Sequence, residues 1–423
     1  MSKSTPVKTS RRKPSAATPP IEVDARDLPP LGMPPEVFLR DYWQKKPLLI
    51  RNAFAAYSGE DFVPPLQPED LAGLACEESA LSRIVEFDRA SDRWSVRAGP
   101  FEEEMFPGMP TQDWTLLVQD VDKWDADVAA LLEHFSFLPR WRIDDVMVSF
   151  AAPGGSVGAH VDQYDVFLLQ AQGTRRWQID ARENPPLEFR DDVELKLLRR
   201  FDPSHEWSLG PGDMLYLPPG VPHHGVAEDA CLTFSIGMRA PSAAELLGDF
   251  VDTLAADADE ALRYRDPDLV PASDPAEIDT AAMGRAIEAL NLLRMNDPER
   301  LGDWFGRFMT SYRSAGEVLS GAGPDEAARS RIEVEWDLQH GAVLHRHPWS
   351  RMAWRKGKPR GGARLYVNGQ DHPVPRGDAS AIANAAELDG TGYATLSETG
   401  RHLVYQLLQA GHYNLLLPGG EDE

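Results

Sequence analysis

Cysteine is almost absent from this chain: Cys76 and Cys231 are the only two in 423 residues. Two thiols make neither a disulfide framework nor a cysteine-ligated zinc site, so any metal must be held by histidines and carboxylates, and the low count suits a reducing compartment. Long hydrophobic runs are missing as well. Stretches such as Val166-Phe167-Leu168-Leu169 fall far short of the roughly 20 apolar residues a membrane helix needs, so no span is expected. Positive charge is in short supply, with 43 Lys and Arg against 67 Asp and Glu, a net charge of −24. That balance argues against general attraction to nucleic-acid phosphates and favours small cations or a basic protein partner. What is present is ample apolar material, 42% of residues, in a chain longer than one hydrophobic core usually spans; two or three domains are expected.

Residues 1–28 carry Lys3, Lys8, Arg11, Arg12 and Lys13 among Ser, Thr and Pro with few large apolar side chains, the composition of a disordered basic tail. The tail lacks the apolar core of a secretory signal and the stripe of a transit peptide, so cytoplasmic residence is expected. From Leu48 to about Met238 the pattern is one of short strands: Arg83–Phe87, Trp94–Val96, Val146–Phe150, Val166–Gln170, Arg176–Ile179, Met214–Leu217 and Leu232–Ile236. Pro and Gly separate them, which predicts an antiparallel barrel or sandwich, with an amphipathic helix through Val128, Leu131, Leu132 and Phe135 packed outside. After Ala240 the period becomes helical. Ser242-Ala243-Ala244-Glu245 forms a capping box, and apolar stripes follow at Leu246, Leu247, Phe250, Val251 and Leu254, at Met283, Ile287 and Leu290, and at Leu301, Trp304, Phe305, Phe308 and Met309. Such stripes bury either on the barrel or against a second copy of the chain. Beyond about Arg331, strand-like Ala342–His345 and Leu365–Val367, the turn Asn368-Gly369, helices near Ala379–Leu388 and Ser397–Gln409, and a last strand at Tyr413–Leu417 suggest a winged helix. This part also holds Arg351, Arg355, Lys356, Lys358, Arg360 and Arg364, read as a solvated basic loop in preference to an RNA contact.

The chemistry lies in the strand-rich part. His160-Val161-Asp162 puts two potential ligands on one side of an extended strand, a weak signal alone because 11 histidines give about one such H-x-D by chance. Its context strengthens it. Gly154 precedes His160, and Gly173 closes the motif, at the spacing of the first cupin motif. Gly212-Asp213-Met214-Leu215-Tyr216-Leu217-Pro218-Pro219-Gly220-Val221-Pro222-His223 follows the second. The chain departs from many cupins in placing Val166 where a glutamate ligand stands and Ala227 where the second motif ends in asparagine. What remains is two histidines and one carboxylate, a facial triad that leaves three positions of an octahedral iron open. His223 is preferred to His224 by motif spacing and by alternation. The pair His345 and His347 has no evident third ligand and is read as structural, and the remaining histidines as polar or packing residues.

Trp141-Arg142-Ile143-Asp144-Asp145, Pro153-Gly154-Gly155, His160-Val161-Asp162-Gln163-Tyr164-Asp165-Val166-Phe167 and Pro218-Pro219-Gly220 resemble the bacterial ribosomal oxygenases, a JmjC branch of the cupins. The likeness extends to Phe38-Leu39-Arg40-Asp41-Tyr42-Trp43-Gln44-Lys45-Lys46-Pro47 and to Phe234-Ser235-Ile236-Gly237-Met238-Arg239-Ala240-Pro241. It implies an α+β chain: a double-stranded β-helix (cupin/JmjC) catalytic domain over 29–240, a helical dimerisation segment over 241–330 and a winged-helix-like domain over 331–423. It further implies an iron(II) enzyme that consumes 2-oxoglutarate and dioxygen and hydroxylates the β-carbon of an arginine in a large-subunit ribosomal protein, the one called L-sixteen. His160, Asp162 and His223 would hold the metal, and Arg175 the distal carboxylate of 2-oxoglutarate. Asp145, Tyr164, Ser235 and Met238 would receive the substrate arginine. The expected partners are a basic ribosomal protein and a second copy of the chain, with direct nucleic-acid contact left open. Competing readings are a JmjC hydroxylase or demethylase for another protein side chain, a cupin acting on a small metabolite, and a non-catalytic cupin.

Overall fold

The computed structural model describes residues 20–54, 62–293, 297–311, 329–357 and 361–418. Two sheets stack to form the strand-rich part. The larger has nine strands, in the spatial order Glu22–Asp24, Leu48–Arg51, Met214–Leu217, Val166–Gln172, Cys231–Met238, Ile143–Ala151, Trp114–Val118, Ser82–Asp88 and Arg93–Ala98. The smaller has four: His205–Leu209, Arg175–Ile179, Pro222–Ala227 and His160–Val161. Strand alternation explains why they stack. Val166, Leu168, Leu215 and Leu217 point to one face and meet Trp177, Ile179 and Leu209 of the smaller sheet, whereas Phe167, Leu169, Met214 and Tyr216 point to the other. That other face is covered by helices Pro35–Asp41 and Ala126–Ala130 through Phe38 and Val128. A strand covered on both faces reads as a continuous apolar run, which is why Val166–Leu169 does.

All seven expected strands are present, each within three residues of its expected ends. The expected outer helix is a short α-helix followed by a 3-10 turn over Leu131–Phe135, with Val128, Leu131 and Phe135 buried. One correction concerns the tail: residues 1–19 lie outside the described residues, but Glu22–Asp24 is a strand that pairs in parallel with Leu49, Ile50 and Arg51, so order begins well before Pro29. Ile21 and Val23 secure it by packing against the two cores.

The helix Ala243–Ala256 opens on the expected capping box, with Glu245 N donating to Ser242 Oγ at 3.1 Å and Ser242 N to Glu245 Oε2 at 2.8 Å. Phe250, Leu254 and Trp304 make a small core there. Leu247, Val251, Met283, Ile287, Leu290, Leu301 and Phe305 stay exposed, so only part of the expected stripes finds cover among the described residues. The last region has two three-stranded sheets, Glu387–Asp389, Val343–Arg346 and Tyr413–Leu416 in one and Met352–Lys356, Gly362–Val367 and Gln370–Pro375 in the other, with helices Arg376–Asn384 and Glu398–Gln409 between them. The helix expected to reach Leu388 stops at Asn384, because the next residues join a sheet.

The basic loop is also corrected. Arg355, Lys356 and Arg364 lie on strands, and three of the arginines are held by acids: Arg351 by Asp144, Arg355 by Glu299 and Asp303, Arg364 by Asp371. Lys358 and Arg360 lie outside the described residues. Among the described residues, no helix is long and apolar enough to cross a membrane.

Candidate metal and cosubstrate site

The smaller sheet places the candidate ligands. His160 and His223 are direct cross-strand partners, with ring centroids 4.2 Å apart. Asp162 follows at the end of the same strand, and Gly220 N donates to its carbonyl at 2.8 Å, which folds the second motif over the first. Gly220 has φ +84°, a backbone conformation that glycine adopts without strain, and this turn aims His223 back at His160. His160 Nε2 lies 3.8 Å from Asp162 Oδ1 and His223 Nε2 3.5 Å from Oδ2. One ligand atom from each residue falls within 4.8 Å of the others.

Each ring's other nitrogen faces a backbone carbonyl, His160 Nδ1 to Gly158 O at 3.0 Å and His223 Nδ1 to Val221 O at 2.9 Å. A carbonyl only accepts, so the proton of each neutral ring sits on Nδ1 and the Nε2 lone pairs face the gap. Burial and the neighbouring His160 push His223 down to about 4, so it is neutral and able to ligate at ordinary pH. Two imidazole nitrogens and a carboxylate on one side of an open cavity fit iron(II) with positions left for other ligands. His224 faces the other way, its ring 6.1 Å from Phe201, as alternation requires.

Arg175 is 3% exposed, and its neighbour Arg176 only half-buried. The Arg175 guanidinium lies 5.0 Å from the Trp177 ring and donates only over long distances: Nη1 to Ser149 Oγ at 3.4 Å and Thr233 Oγ1 at 3.3 Å, Nη2 to Gly225 O at 3.5 Å. Its Nε has no hydrogen-bond partner, and among the described residues no carboxylate lies within ion-pair distance. Burial lowers its pKa. A buried cation held only by neutral, stretched contacts calls for an anion. The space is defined by Gly225, where a Cβ would come within 2.7 Å of Trp177 and 2.8 Å of Arg175 Nε.

One cavity of about 760 Å³ is lined by the three candidate ligands, by Arg175, and by Asp145, Tyr164, Ser235 and Met238, so the residues expected to serve metal, cosubstrate and substrate meet in one place. Ser235 and Met238 are buried in its wall, and Tyr164 is 39% exposed. Asp145 is pushed up to about 7 by burial first and then by the nearby carboxyls of Asp120, Asp122 and Asp144. The protein packed around Tyr164, with Asp162 and Asp145, raises its hydroxyl. Sequence reasoning missed Ser149, Thr233, Gly225 and Asp120. The first two are cross-strand partners on the inward face of apolar strands, and an isolated hydroxyl at such a position is the signal that would have found them.

Two family models match the chain, a JmjC domain over residues 130–246 and a ROXA-like winged helix over residues 293–414. The Escherichia coli protein named ribosomal protein uL16 3-hydroxylase is 35% identical over 382 residues, which cover 89% of this chain and 96% of that protein. A probable ribosomal oxygenase of Haemophilus influenzae is 40% identical over 244 residues, 57% of this chain and 56% of its own length. The solved structure of the E. coli ribosomal oxygenase YcfD in complex with cobalt and 2-oxoglutarate superposes with a TM-score of 0.76 at 33% identity, covering 91% of this chain and 99% of that one. The same protein with cobalt and succinic acid gives 0.76 at 34% identity over 91% and 99%.

Proposed function

The chain belongs to the ribosomal oxygenases built on a JmjC domain, and we propose that it is an iron(II)- and 2-oxoglutarate-dependent dioxygenase that hydroxylates the β-carbon of an arginine in a large-subunit ribosomal protein. One juxtaposition carries the reading: a set of two imidazoles and a carboxylate shares its cavity with a buried guanidinium that has no carboxylate within ion-pair distance among the described residues. With iron and 2-oxoglutarate bound, the site supplies oxidative decarboxylation to succinate and carbon dioxide and the insertion of one oxygen atom into a C–H bond.

The chain's own residues do the rest. His160, Asp162 and His223 hold the metal. Arg175 takes the distal carboxylate of 2-oxoglutarate by a charge-assisted pair, and Ser149 and Thr233 orient its guanidinium. Asp145 receives the substrate guanidinium, whose charge favours the ionised carboxylate, while the Tyr164 ring and the Ser235 and Met238 wall hold the aliphatic stem close to the metal set. The net charge of −24 attracts a basic protein. Histidine hydroxylation and lysine demethylation are the competing outcomes, and the carboxylate at Asp145 favours a cationic side chain over a neutral one.

The domain limits that suit this reading are 21–240, with the strand Glu22–Asp24 counted in the first domain, then 241–330 and 331–423. The exposed apolar side chains Leu247, Val251, Ile287 and Leu290 support a homodimer, which the mass in solution tests directly; a monomer at micromolar concentration would remove it. A ribosomal protein substrate supports a cytoplasmic location. The engagement of Arg351, Arg355 and Arg364 by acids speaks against these three as an RNA contact.

The test is mass spectrometry of an intact ribosomal protein or its arginine peptide after incubation with enzyme, iron(II), 2-oxoglutarate and air, with succinate followed in parallel. One added oxygen on arginine, lost in His160→Ala and Asp162→Ala, is the expected result. Succinate with no modified arginine overturns the substrate, and absence of both products from the iron-loaded enzyme overturns the oxygenase.

A further inference from the structure

Behind the candidate cosubstrate cation stands a polar side chain that is not part of the cavity wall. Gln170 lies on the strand Val166–Gln172 and is 0% exposed, while its neighbours Thr233, Ser149 and Arg175 line the cavity. An amide so enclosed must find its hydrogen bonds within the protein. The strand register sets Gln170 opposite Thr233, and Thr233 opposite Ser149 on the strand Ile143–Ala151. These three side chains form a polar row across neighbouring strands, and Arg175 Nη1 donates to two of them, Thr233 Oγ1 at 3.3 Å and Ser149 Oγ at 3.4 Å.

The polarity of the row is set at its far end. Gln170 Nε2 donates to Gln172 O at 2.8 Å and to Gly173 O at 3.3 Å, and the Cys231 thiol hydrogen-bonds the same side chain. A carbonyl only accepts, so the amide nitrogen must face the turn at Gln172-Gly173 and Oε1 must face Thr233. Thr233 Oγ1 then donates its single proton to Gln170 Oε1, at 3.1 Å, and keeps only lone pairs for its other neighbour. Arg175 carries only donors, so a hydroxyl held in this sense is the partner it needs. Ser149 Oγ is turned the same way, donating to Thr233 O at 3.5 Å. At 3.3 to 3.5 Å the bonds from Arg175 are long, so what they supply is direction more than strength.

We infer that Gln170 is a positioning residue for cosubstrate binding: it fixes the Thr233 hydroxyl as an acceptor, and that hydroxyl holds the Arg175 guanidinium in place before 2-oxoglutarate arrives. The inference rests on the reading of Arg175 given above and adds to it the residue that orients the cation. Arginine has a long side chain with many rotamers, and one already ordered does not lose that freedom again on binding. A Thr233 hydroxyl released from Gln170 is free to swing its proton towards the guanidinium, where it repels instead of accepting.

The experiment measures, on the iron-loaded enzyme, KM for 2-oxoglutarate, KM for an arginine peptide, and kcat. Gln170→Met fills the space without the acceptor, and Gln170→Asn keeps an amide in the core but is one methylene too short to reach Thr233 and the turn together. Both should raise KM for 2-oxoglutarate by about tenfold, with kcat at saturating cosubstrate and KM for the peptide within about twofold. Thr233→Val removes the hydroxyl through which Gln170 acts and should give a comparable rise. Because the two residues act in series, combining Thr233→Val with either Gln170 variant should exceed the larger single effect by less than about threefold. Effects that multiply instead show that Gln170 does not act through Thr233 and overturn the inference. An unchanged KM for 2-oxoglutarate in both Gln170 variants overturns it too, as does a parallel loss of kcat and peptide affinity or the failure of both to fold, which marks a purely structural amide. Wild type that forms no succinate brings down the reading of Arg175 and this inference with it.

Discussion

Replacing Arg175 by methionine should make the unliganded protein more stable while destroying its affinity for 2-oxoglutarate. In the structure the guanidinium is fully enclosed, Nε has no partner, and the three bonds made by Nη1 and Nη2 are 3.3 to 3.5 Å long. Methionine refills the stem, and the hydroxyl of Thr233 keeps its bond to Gln170 Oε1 at 3.1 Å, so little hydrogen bonding is lost. Desolvating one ion costs several kcal/mol, and apolar replacement of buried charges is often stabilising by about 1–4 kcal/mol. Over a catalytic unit of this size that is a rise in Tm of roughly 2–16 °C. Removing one member of a buried ion pair costs about 3–5 kcal/mol, so the Kd for 2-oxoglutarate should rise by two to three and a half orders of magnitude. Thermal melts with a metal that does not turn over, such as cobalt, read both effects. At 2-oxoglutarate one hundred times the wild-type Kd, wild type gains about 2.7 kcal/mol and the variant less than about 0.5. A variant that melts below wild type without ligand, or binds 2-oxoglutarate within tenfold of wild type, refutes the account of Arg175 as a cation awaiting its anion.

The raised pKa of Asp145 predicts a stability slope. Its folded value, about 7, lies above the unfolded one, so between about pH 4 and pH 7 the native state binds more protons and unfolding free energy falls as pH rises. The unliganded enzyme should therefore lose stability on account of this group as pH rises from about 4 to about 7, and Asp145→Asn should flatten that part of the profile; a variant with an unchanged profile contradicts it. Asp165 is 0% exposed and accepts from Tyr216 Oη at 2.7 Å and Gln44 Nε2 at 2.9 Å, with Arg142 Nη2 at 3.5 Å. Asp165→Ala strands Arg142 and Tyr216 and should cost about 3–5 kcal/mol in urea unfolding, against under about 1 for a surface aspartate. The ion pair Arg351–Asp144 joins the C-terminal region to the cavity wall, and because Asp144 is 46% exposed a double-mutant cycle should give a coupling of only about 1 kcal/mol. A coupling near zero would show the two regions to be held by other contacts, such as that of Trp124 with Trp349 at 6.2 Å.

The candidate metal set is legible in the sequence because its geometry is local. His160 and Asp162 are separated by one strand residue, and His223 ends a turn whose glycines and prolines announce it, so spacing alone constrains where the three side chains point. The choice between Arg175 and Arg176 was less determined by the sequence, since alternation says only that one is inward. The register decides it: Arg175 stands opposite Leu209 and Ala227, both buried, and Arg176 opposite Ser208, which is exposed. The basic loop was misread for the opposite reason. The acids that hold Arg351 and Arg355 lie 207 and 52 to 56 residues away in sequence, and no local pattern reveals them.

Asp120 shows where local reasoning stops. Its place in the cavity depends on Trp114–Val118 pairing with Ile143–Ala151 in a register that sets Val118 against Val148 and Thr115 against Ala151, so the chain leaving the first strand arrives beside Asp145 near the start of the second. Nothing within Gln119-Asp120-Val121-Asp122 carries that information, and taken alone the segment is an acidic turn between apolar stretches. Residues that bind the metal must keep fixed distances from one another, and short motifs suffice for that. Residues that read the substrate need only face the same space, and strands far apart in sequence can supply them. The physical consequence is that substitutions in the two motifs should strike metal and cosubstrate binding together, whereas changes at Asp145, near the start of the strand Ile143–Ala151, are expected to alter the preferred side chain with the motifs left intact.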